Sequence, residues 1–145
     1  MRCRAARRIA RILGRRGVIL LSYGTVWALY GYGQLISPQT DQRGLAMLLN
    51  LLPLEAWAGF WIATGLIAIV CAFLPQGRDA PGFVALVLIV IPWMSSYLLS
   101  WWPLQTFPRG WVAAAIWVVI AVPVIVVAGW REPPRPKRVG PLHES

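Results

Sequence analysis

The chain has 145 residues, of which 58% are hydrophobic and only 13% are charged, yet its formal net charge is +9. Soluble globular proteins carry about 25% charged residues, and basic disordered chains contain few aromatic residues, whereas this chain contains nine tryptophans. The composition therefore excludes both classes and indicates a small integral membrane protein whose basic residues lie outside the membrane-spanning segments.

The first 16 residues form a basic head that contains seven arginines and no acidic residue. Arginines beside a membrane-spanning segment attract anionic lipid headgroups, each by about 1 kcal/mol. A nucleic-acid partner is the less favoured interpretation, because the segment has no room for a recognition fold. We therefore expect the head to bind the membrane surface through Arg2, Arg4, Arg7, Arg8, Arg11, Arg15 and Arg16.

Four long apolar segments follow the head. A helix rises about 1.5 Å per residue, so about 20 residues cross a hydrocarbon core of about 30 Å. None of the four segments has the alternating pattern of a barrel strand or the polar face of a soluble amphipathic helix. The sequence therefore predicts an all-α, integral membrane four-helix bundle over residues 17–130, with spans at about 17–36, 55–74, 81–102 and 111–130.

The connections between these spans differ in length. Residues 75–80 and 103–110 are short and contain Pro and Gly, so the spans that they join should be antiparallel neighbours. The connection between the first two spans is longer, and its second half, residues 44–52, is apolar but too short to cross a membrane. We interpret residues 44–52 as a helix in the membrane interface, with a re-entrant segment as the alternative.

The basic residues are distributed unequally along the chain. Twelve of the 14 lie in the head, in residues 75–80 or in the Pro/Arg-rich tail 131–145, whereas Arg43 and Arg109 lie on the opposite side of the predicted spans. The positive-inside rule therefore predicts that both termini are cytoplasmic, and an even number of spans agrees because it places both termini on the same side. A cleaved signal peptide is less favoured, because the first apolar segment is long and no clear cleavage site follows it.

The chain offers few groups for catalysis or metal binding. The single histidine, His143, lies in the polar tail, and Cys3 and Cys71 do not have metal-ligand spacing. No motif of a nucleotide-binding loop, a zinc protease or a serine hydrolase occurs. The sequence therefore predicts a protein that is not an enzyme, with no catalytic, metal-binding or cofactor-binding residues.

Two sets of residues are candidates for membrane anchoring and helix packing. Tryptophan rings anchor proteins at the two membrane surfaces, a role we assign to Trp57, Trp61, Trp101, Trp102, Trp111 and Trp130. Small residues four positions apart allow close helix approach, as in the pairs Gly24 and Ala28, Gly59 and Ala63, and Ala68 and Ala72. Such pairs are compatible with packing within the chain, with a homo-oligomer or with another membrane protein as partner.

Three phrases of the sequence carry a resemblance to known proteins. The arginine-rich head leads into RGVILLSYGTVWALYG, and SYLLSWWPL and RGWVAAAIWVVI follow. This pattern resembles small four-helix membrane proteins of actinobacteriophages and actinobacteria, and implies a bacterial cytoplasmic membrane, or the host membrane if a phage encodes the chain. The resemblance supplies no site residues.

Three functions are compatible with this sequence. The leading hypothesis is a non-catalytic polytopic membrane protein that acts through helix packing and assembly. The first alternative is a holin-like lysis protein that permeabilises the cytoplasmic membrane, because such proteins are small and have several spans and short loops. The second alternative is a small transporter or channel subunit, which the lack of charged residues deep in the spans disfavours.

Overall fold

The computed structural model describes residues 2–38, 43–75 and 77–130, with side chains from residue 13 onward. This part of the chain contains α-helices and one 3-10 turn, Arg43–Leu45, and no strand. The predicted all-α fold is therefore confirmed. The helices are α1 (Arg2–Ile36), α2 (Ala46–Leu51), α3 (Leu54–Cys71), α4 (Ala80–Trp101) and α5 (Gly110–Ala128).

Three of these helices, α3, α4 and α5, are long and apolar enough to cross a membrane. The sequence predicted four such helices, and three of them meet this measure of length and apolar composition in the part of the chain that the structure describes. The predicted span at residues 17–36 is helical and forms the second part of α1. Four glycines, three tyrosines and Gln34 make this segment less apolar than the other three.

Helix α1 begins at Arg2, within the basic head, and is interrupted at Gly14. The φ of 71° and ψ of 177° at Gly14 form a conformation that is accessible almost only to glycine. Residues 2–13 of the head therefore form a helical segment of their own, and a second segment, which includes Arg15 and Arg16, continues to Ile36. The side chains of the five arginines in the first segment lie outside the described part of the chain, as do the tail 131–145 and His143.

Neighbouring long helices run antiparallel. Gly17 of α1 lies against Ala72, and Gly31 lies against Ala58, so residue numbers fall along α3 as they rise along α1. Helix α4 then packs against α3, and α5 packs against α4. We call the end of the bundle that contains Arg16 and Ala128 the basic end, and the opposite end the far end.

The 3-10 turn and helix α2 pack against α4 at the far end. Leu45 and Leu48 are buried in the core of the bundle. The hydroxyl groups of Ser96 and Ser100 donate hydrogen bonds to the carbonyl oxygen of Gly44, at 2.9 and 3.2 Å. The predicted apolar segment 44–52 is therefore fixed to the bundle by core packing and hydrogen bonds, and its position in a membrane interface stays a prediction.

The outer surface of the bundle is strongly apolar. Only 22% of the most apolar stretch of α5 is buried inside the protein. Val119 in the middle of this helix is 70% exposed, and Leu88 of α4 is 58% exposed. Soluble monomeric proteins rarely expose apolar patches larger than a few hundred Å², so this surface is typical of a protein that contacts lipid.

Candidate functional site

A buried ion pair at the basic end joins helix α1 to the residue directly before α4. The Nε of Arg16 donates a hydrogen bond to Oδ2 of Asp79 at 2.6 Å, and Nη2 donates to Oδ1 at 3.2 Å. Arg16 is 8% exposed and Asp79 is 3% exposed. The backbone N–H of Gly77 also donates to Oδ1 of Asp79 at 3.1 Å. This bidentate arrangement fixes the start of the second segment of α1 to the start of α4.

The third nitrogen of the guanidinium group binds the end of α5. Nη1 of Arg16 donates to the carbonyl oxygens of Ala128 at 2.6 Å, Trp130 at 2.8 Å and Val127 at 3.2 Å. The last carbonyl groups of a helix have no partner within the helix and need donors from elsewhere. Arg16 supplies these donors, although it lies more than a hundred residues earlier in the chain.

Both charges of the pair lie where helix dipoles favour them. The C-terminus of a helix carries partial negative charge, which favours the guanidinium of Arg16 at the end of α5. The N-terminus carries partial positive charge, which favours the carboxylate of Asp79 directly before α4. The ring of Phe83 lies 4.7 Å from the guanidinium carbon, at a distance typical of a cation–π contact. We call these residues, Arg16, Asp79 and Phe83, the arginine clamp.

The arginine clamp was not predicted from the sequence. Arg16 was predicted, together with six other arginines, to anchor the chain at the membrane surface. The predicted topology was the one feature of the sequence that could have indicated the clamp. Three antiparallel connections bring the start of the first span, the start of the third and the end of the fourth to one side of the bundle. The buried guanidinium of Arg16 then pairs with the acidic residue directly before α4 and donates hydrogen bonds to the carbonyl groups at the end of α5.

A cluster of six aromatic rings occupies the centre of the bundle and the adjoining far half. Each of the four long helices contributes at least one ring. Trp61 is central, with ring centroids 4.8 Å from Tyr30, 5.3 Å from Trp117 and 5.5 Å from Trp93. Most of the contacts are edge-to-face, an arrangement that stabilises aromatic pairs beyond their burial. The aromatic cluster consists of Trp27, Tyr30, Trp57, Trp61, Trp93 and Trp117.

Some indole N–H groups of the aromatic cluster have a hydrogen-bond acceptor and others have none. Nε1 of Trp27 donates to the carbonyl oxygen of Leu86 at 3.1 Å, and Nε1 of Trp57 donates to that of Leu48 at 3.0 Å. Nε1 of Trp61 and Nε1 of Trp93 are buried and have no hydrogen-bond partner. An unsatisfied buried donor costs about 1–3 kcal/mol, so ring packing offsets this cost at the centre of the bundle.

The tryptophans predicted as surface anchors separate into two groups. Trp57 and Trp61 are buried in the aromatic cluster, so the structure gives them a packing position. The other four have exposed rings near helix ends: Trp101, Trp102, Trp111 and Trp130. Position along the helix did not distinguish the two groups, because both lie within two turns of a helix end. The face of the helix decides which rings point inward.

The predicted packing residues also separate by face. A Cβ atom on Gly24 would lie 2.7 Å from the carbonyl oxygen of Gly65, so α1 and α3 touch backbone to backbone there. A Cβ atom on Gly65 would in turn lie 2.6 Å from the backbone nitrogen of Ala28. Ala68 and Ala72 are buried on the same face of α3. Gly59 and Ala63 lie on the exposed face, and a Cβ atom on Gly59 would meet no atom within 4 Å.

The clamp and the aromatic cluster are both suited to holding helices together. The charged groups of the clamp are saturated by one another and by backbone carbonyls. Among the described residues, no three His, Cys, Asp or Glu side chains lie close enough to hold a metal ion. No protein-family model, no curated protein and no solved structure matches this chain.

Proposed function

We propose that this chain is a non-catalytic polytopic protein of a bacterial cytoplasmic membrane that acts through helix packing. The observation that supports it most strongly is the distribution of polar and apolar groups. Charged and aromatic polar groups lie inside the bundle at the clamp and the aromatic cluster, whereas α3, α4 and α5 present apolar side chains outward. A bilayer selects for this arrangement, because lipid offers no hydrogen bonds to polar groups.

We further propose that the second segment of α1 is a fourth membrane-spanning helix. It packs against α3 from Gly17 to Gly31, which is about 21 Å of helix at 1.5 Å per residue. Two of its polar side chains are buried or hydrogen-bonded within the helix. Gln34 is buried, and the hydroxyl of Thr25 donates to the carbonyl oxygen of Leu21 in the same helix, at 2.7 Å.

The orientation that we propose places the basic end in the cytoplasm. The exposed side chains of Arg15 and Arg78 lie at this end, and the sequences of the head and tail add most of the remaining basic residues. Arg43 and Arg109 lie at the far end. Basic residues are retained on the cytoplasmic side of bacterial membrane proteins, so both termini are cytoplasmic in this arrangement.

Alkaline phosphatase fusions test the orientation and the number of spans. The enzyme is active only outside the cytoplasm, so a fusion after Ser145 should be inactive and a fusion after Ser37 should be active. Alkaline carbonate extraction should leave the untagged chain in the membrane pellet. An active fusion after Ser145 would contradict the orientation, and an inactive fusion after Ser37 would contradict the fourth span.

Membrane potential tests the non-permeabilising role. The full chain is induced in a bacterial host together with a cytoplasmic endolysin, and a potential-sensitive dye is followed over time. We expect the potential and the cell density to match those of a host with an empty vector. An abrupt loss of potential followed by lysis would overturn the proposed role and identify a holin-like protein instead.

A further inference from the structure

We infer that a groove between α4 and α5 binds one acyl chain of an anionic phospholipid, with the headgroup at the basic end. This inference rests on the proposed membrane location and names a lipid partner for one face of the bundle. The groove consists of two adjoining cavities of about 160 and 260 Å³. Both are lined by Val87 and Ile125, so they form one continuous depression along the helix pair.

The composition of the groove fits a hydrocarbon chain. Its lining residues are aliphatic except for Phe83 and Met94, which lie at its two ends. Ala121 and Ala128 of α5 are small, and they leave room between larger side chains on the two helices. Flexible thioether and branched side chains adapt to an irregular apolar ligand.

The length of the groove matches one leaflet of a bilayer. From Met94 to Phe83, α4 rises by about 16 Å at 1.5 Å per residue, whereas half of a hydrocarbon core is about 15 Å. The groove therefore starts near the middle of the bundle and stops at the basic end. An acyl chain that enters from the basic end would fill it without crossing the bilayer midplane.

The positive charges at the basic end, where the groove stops, favour an anionic headgroup. The two residues that end the groove, Phe83 and Ala128, both contact Arg16, whose charge is already balanced by Asp79. Among the described residues, the exposed side chains of Arg15 and Arg78 therefore leave this end with net positive charge. A phosphate group that lacks a balancing amine complements this charge better than a zwitterionic headgroup does.

Native mass spectrometry of the purified full chain in detergent tests the inference. Dioleoylphosphatidylglycerol and dioleoylphosphatidylcholine are added in turn, and the fraction of protein that retains one lipid is measured. We expect phosphatidylglycerol to bind about tenfold more tightly than phosphatidylcholine, because two exposed arginines, Arg15 and Arg78, lie at the basic end where the groove stops. Equal retention of the two lipids would overturn the assignment of an anionic ligand.

Two matched substitutions on α5 test the position of the site. Val122 and Val126 are 48% and 49% exposed, one turn apart, but only Val122 lines the groove. Val122→Trp should lower retention of phosphatidylglycerol severalfold, whereas Val126→Trp should leave it unchanged. Equal retention by the two variants would overturn the groove as the binding site.

A third variant and a folding control show whether lost lipid binding results from a filled groove or from a misfolded chain. Leu88→Trp fills the cavity nearer the basic end from α4 and should repeat the effect of Val122→Trp. Each variant is first compared with the wild-type chain by gel filtration and by its unfolding midpoint in detergent. Membrane integration is measured separately by alkaline extraction. If the wild-type chain integrates into the membrane but shows no preference for phosphatidylglycerol, this inference is overturned and the proposed membrane role stays intact.

Discussion

At the scale of single residues, the arginine clamp shows how a buried charge is accommodated at one end of a helical bundle. Transfer of a charge out of water is unfavourable unless the charge is paired and hydrogen-bonded. Arg16 meets both conditions with one carboxylate and three carbonyl groups. The pair therefore fixes the geometry of three chain segments, and its removal should affect stability more than the removal of any exposed arginine.

We expect Asp79→Ala to lower the free energy of unfolding by about 3–5 kcal/mol, because it leaves the Arg16 charge without its carboxylate partner. The unfolding midpoint is measured by tryptophan fluorescence in detergent with increasing sodium dodecyl sulfate. Arg78→Ala is the matched control, since this neighbouring residue is exposed, and it should change stability by less than about 0.5 kcal/mol.

A double variant separates the pair from the individual side chains. Arg16→Met combined with Asp79→Leu removes both charges and keeps apolar volume, so it should be less destabilised than Asp79→Ala alone. If Asp79→Ala and Arg78→Ala shift the midpoint equally, the clamp does not stabilise the protein.

At the scale of helices, the contact between α1 and α3 depends on small residues at one face. The backbone atoms of Gly24 and Gly65 leave no room for a Cβ atom at either position. The exposed face of α3 contains Gly59, which lies in the same helix but has open space around it. These two glycines of α3 therefore provide a test in which the amino-acid change is identical and only the face differs.

We expect Gly65→Ala to destabilise the bundle by about 1–3 kcal/mol, because overpacking against backbone forces α1 and α3 apart. Gly59→Ala should be neutral or stabilising by up to about 1 kcal/mol, because alanine has the higher helix propensity. Unfolding midpoints in detergent measure both effects. A similar loss of stability in the two variants would contradict the backbone contact between α1 and α3.

The attachment of the 3-10 turn to α4 makes a second prediction at this scale. Ser96 and Ser100 hold the carbonyl oxygen of Gly44, so the combined change Ser96→Ala and Ser100→Ala should loosen residues 43–51. Hydrogen exchange measured by mass spectrometry should increase in this segment and stay unchanged in α5. Ser95→Ala is the control, since Ser95 donates no hydrogen bond to the turn. Unchanged exchange in the double variant would contradict the attachment.

How far the sequence predicted this architecture depends on the scale of the feature. The long apolar runs predicted helices, because the hydrocarbon thickness sets a required length that the sequence meets directly. The inward position of Trp57 and Trp61 was not predicted, since apolar residues surround both and leave no polar face to define the orientation of α3. The clamp was missed because its partners are 63 to 114 residues apart and meet only once the helices are assembled.

At the scale of the whole molecule, the outward side chains are the main reason to place the bundle in a bilayer. In a soluble protein, a change of the 70% exposed Val119 to Asp would be close to neutral for stability. In a membrane-spanning helix the same change is unfavourable by about 2.5–3.5 kcal/mol at the helix centre. A soluble environment and a membrane environment therefore predict different effects of Val119→Asp on stability.

We expect Val119→Asp to reduce the amount of chain in the carbonate-resistant membrane fraction. The matched control is Gln105→Asp, which introduces the same charge in the exposed connection between α4 and α5. This control should leave membrane integration at the wild-type level. An unchanged membrane fraction for Val119→Asp would argue against α5 as a membrane-spanning helix.

The arginine clamp also has a consequence for biosynthesis. Arg16 leaves the ribosome more than a hundred residues before the carbonyl groups of Val127, Ala128 and Trp130. Helices α1 and α3 are therefore translated before the carbonyl groups that accept hydrogen bonds from Arg16. Completion of α5 supplies the hydrogen-bond acceptors of a guanidinium that was synthesised more than a hundred residues earlier, so a chain truncated before α5 lacks this closure and should be a preferred substrate for membrane quality-control proteases.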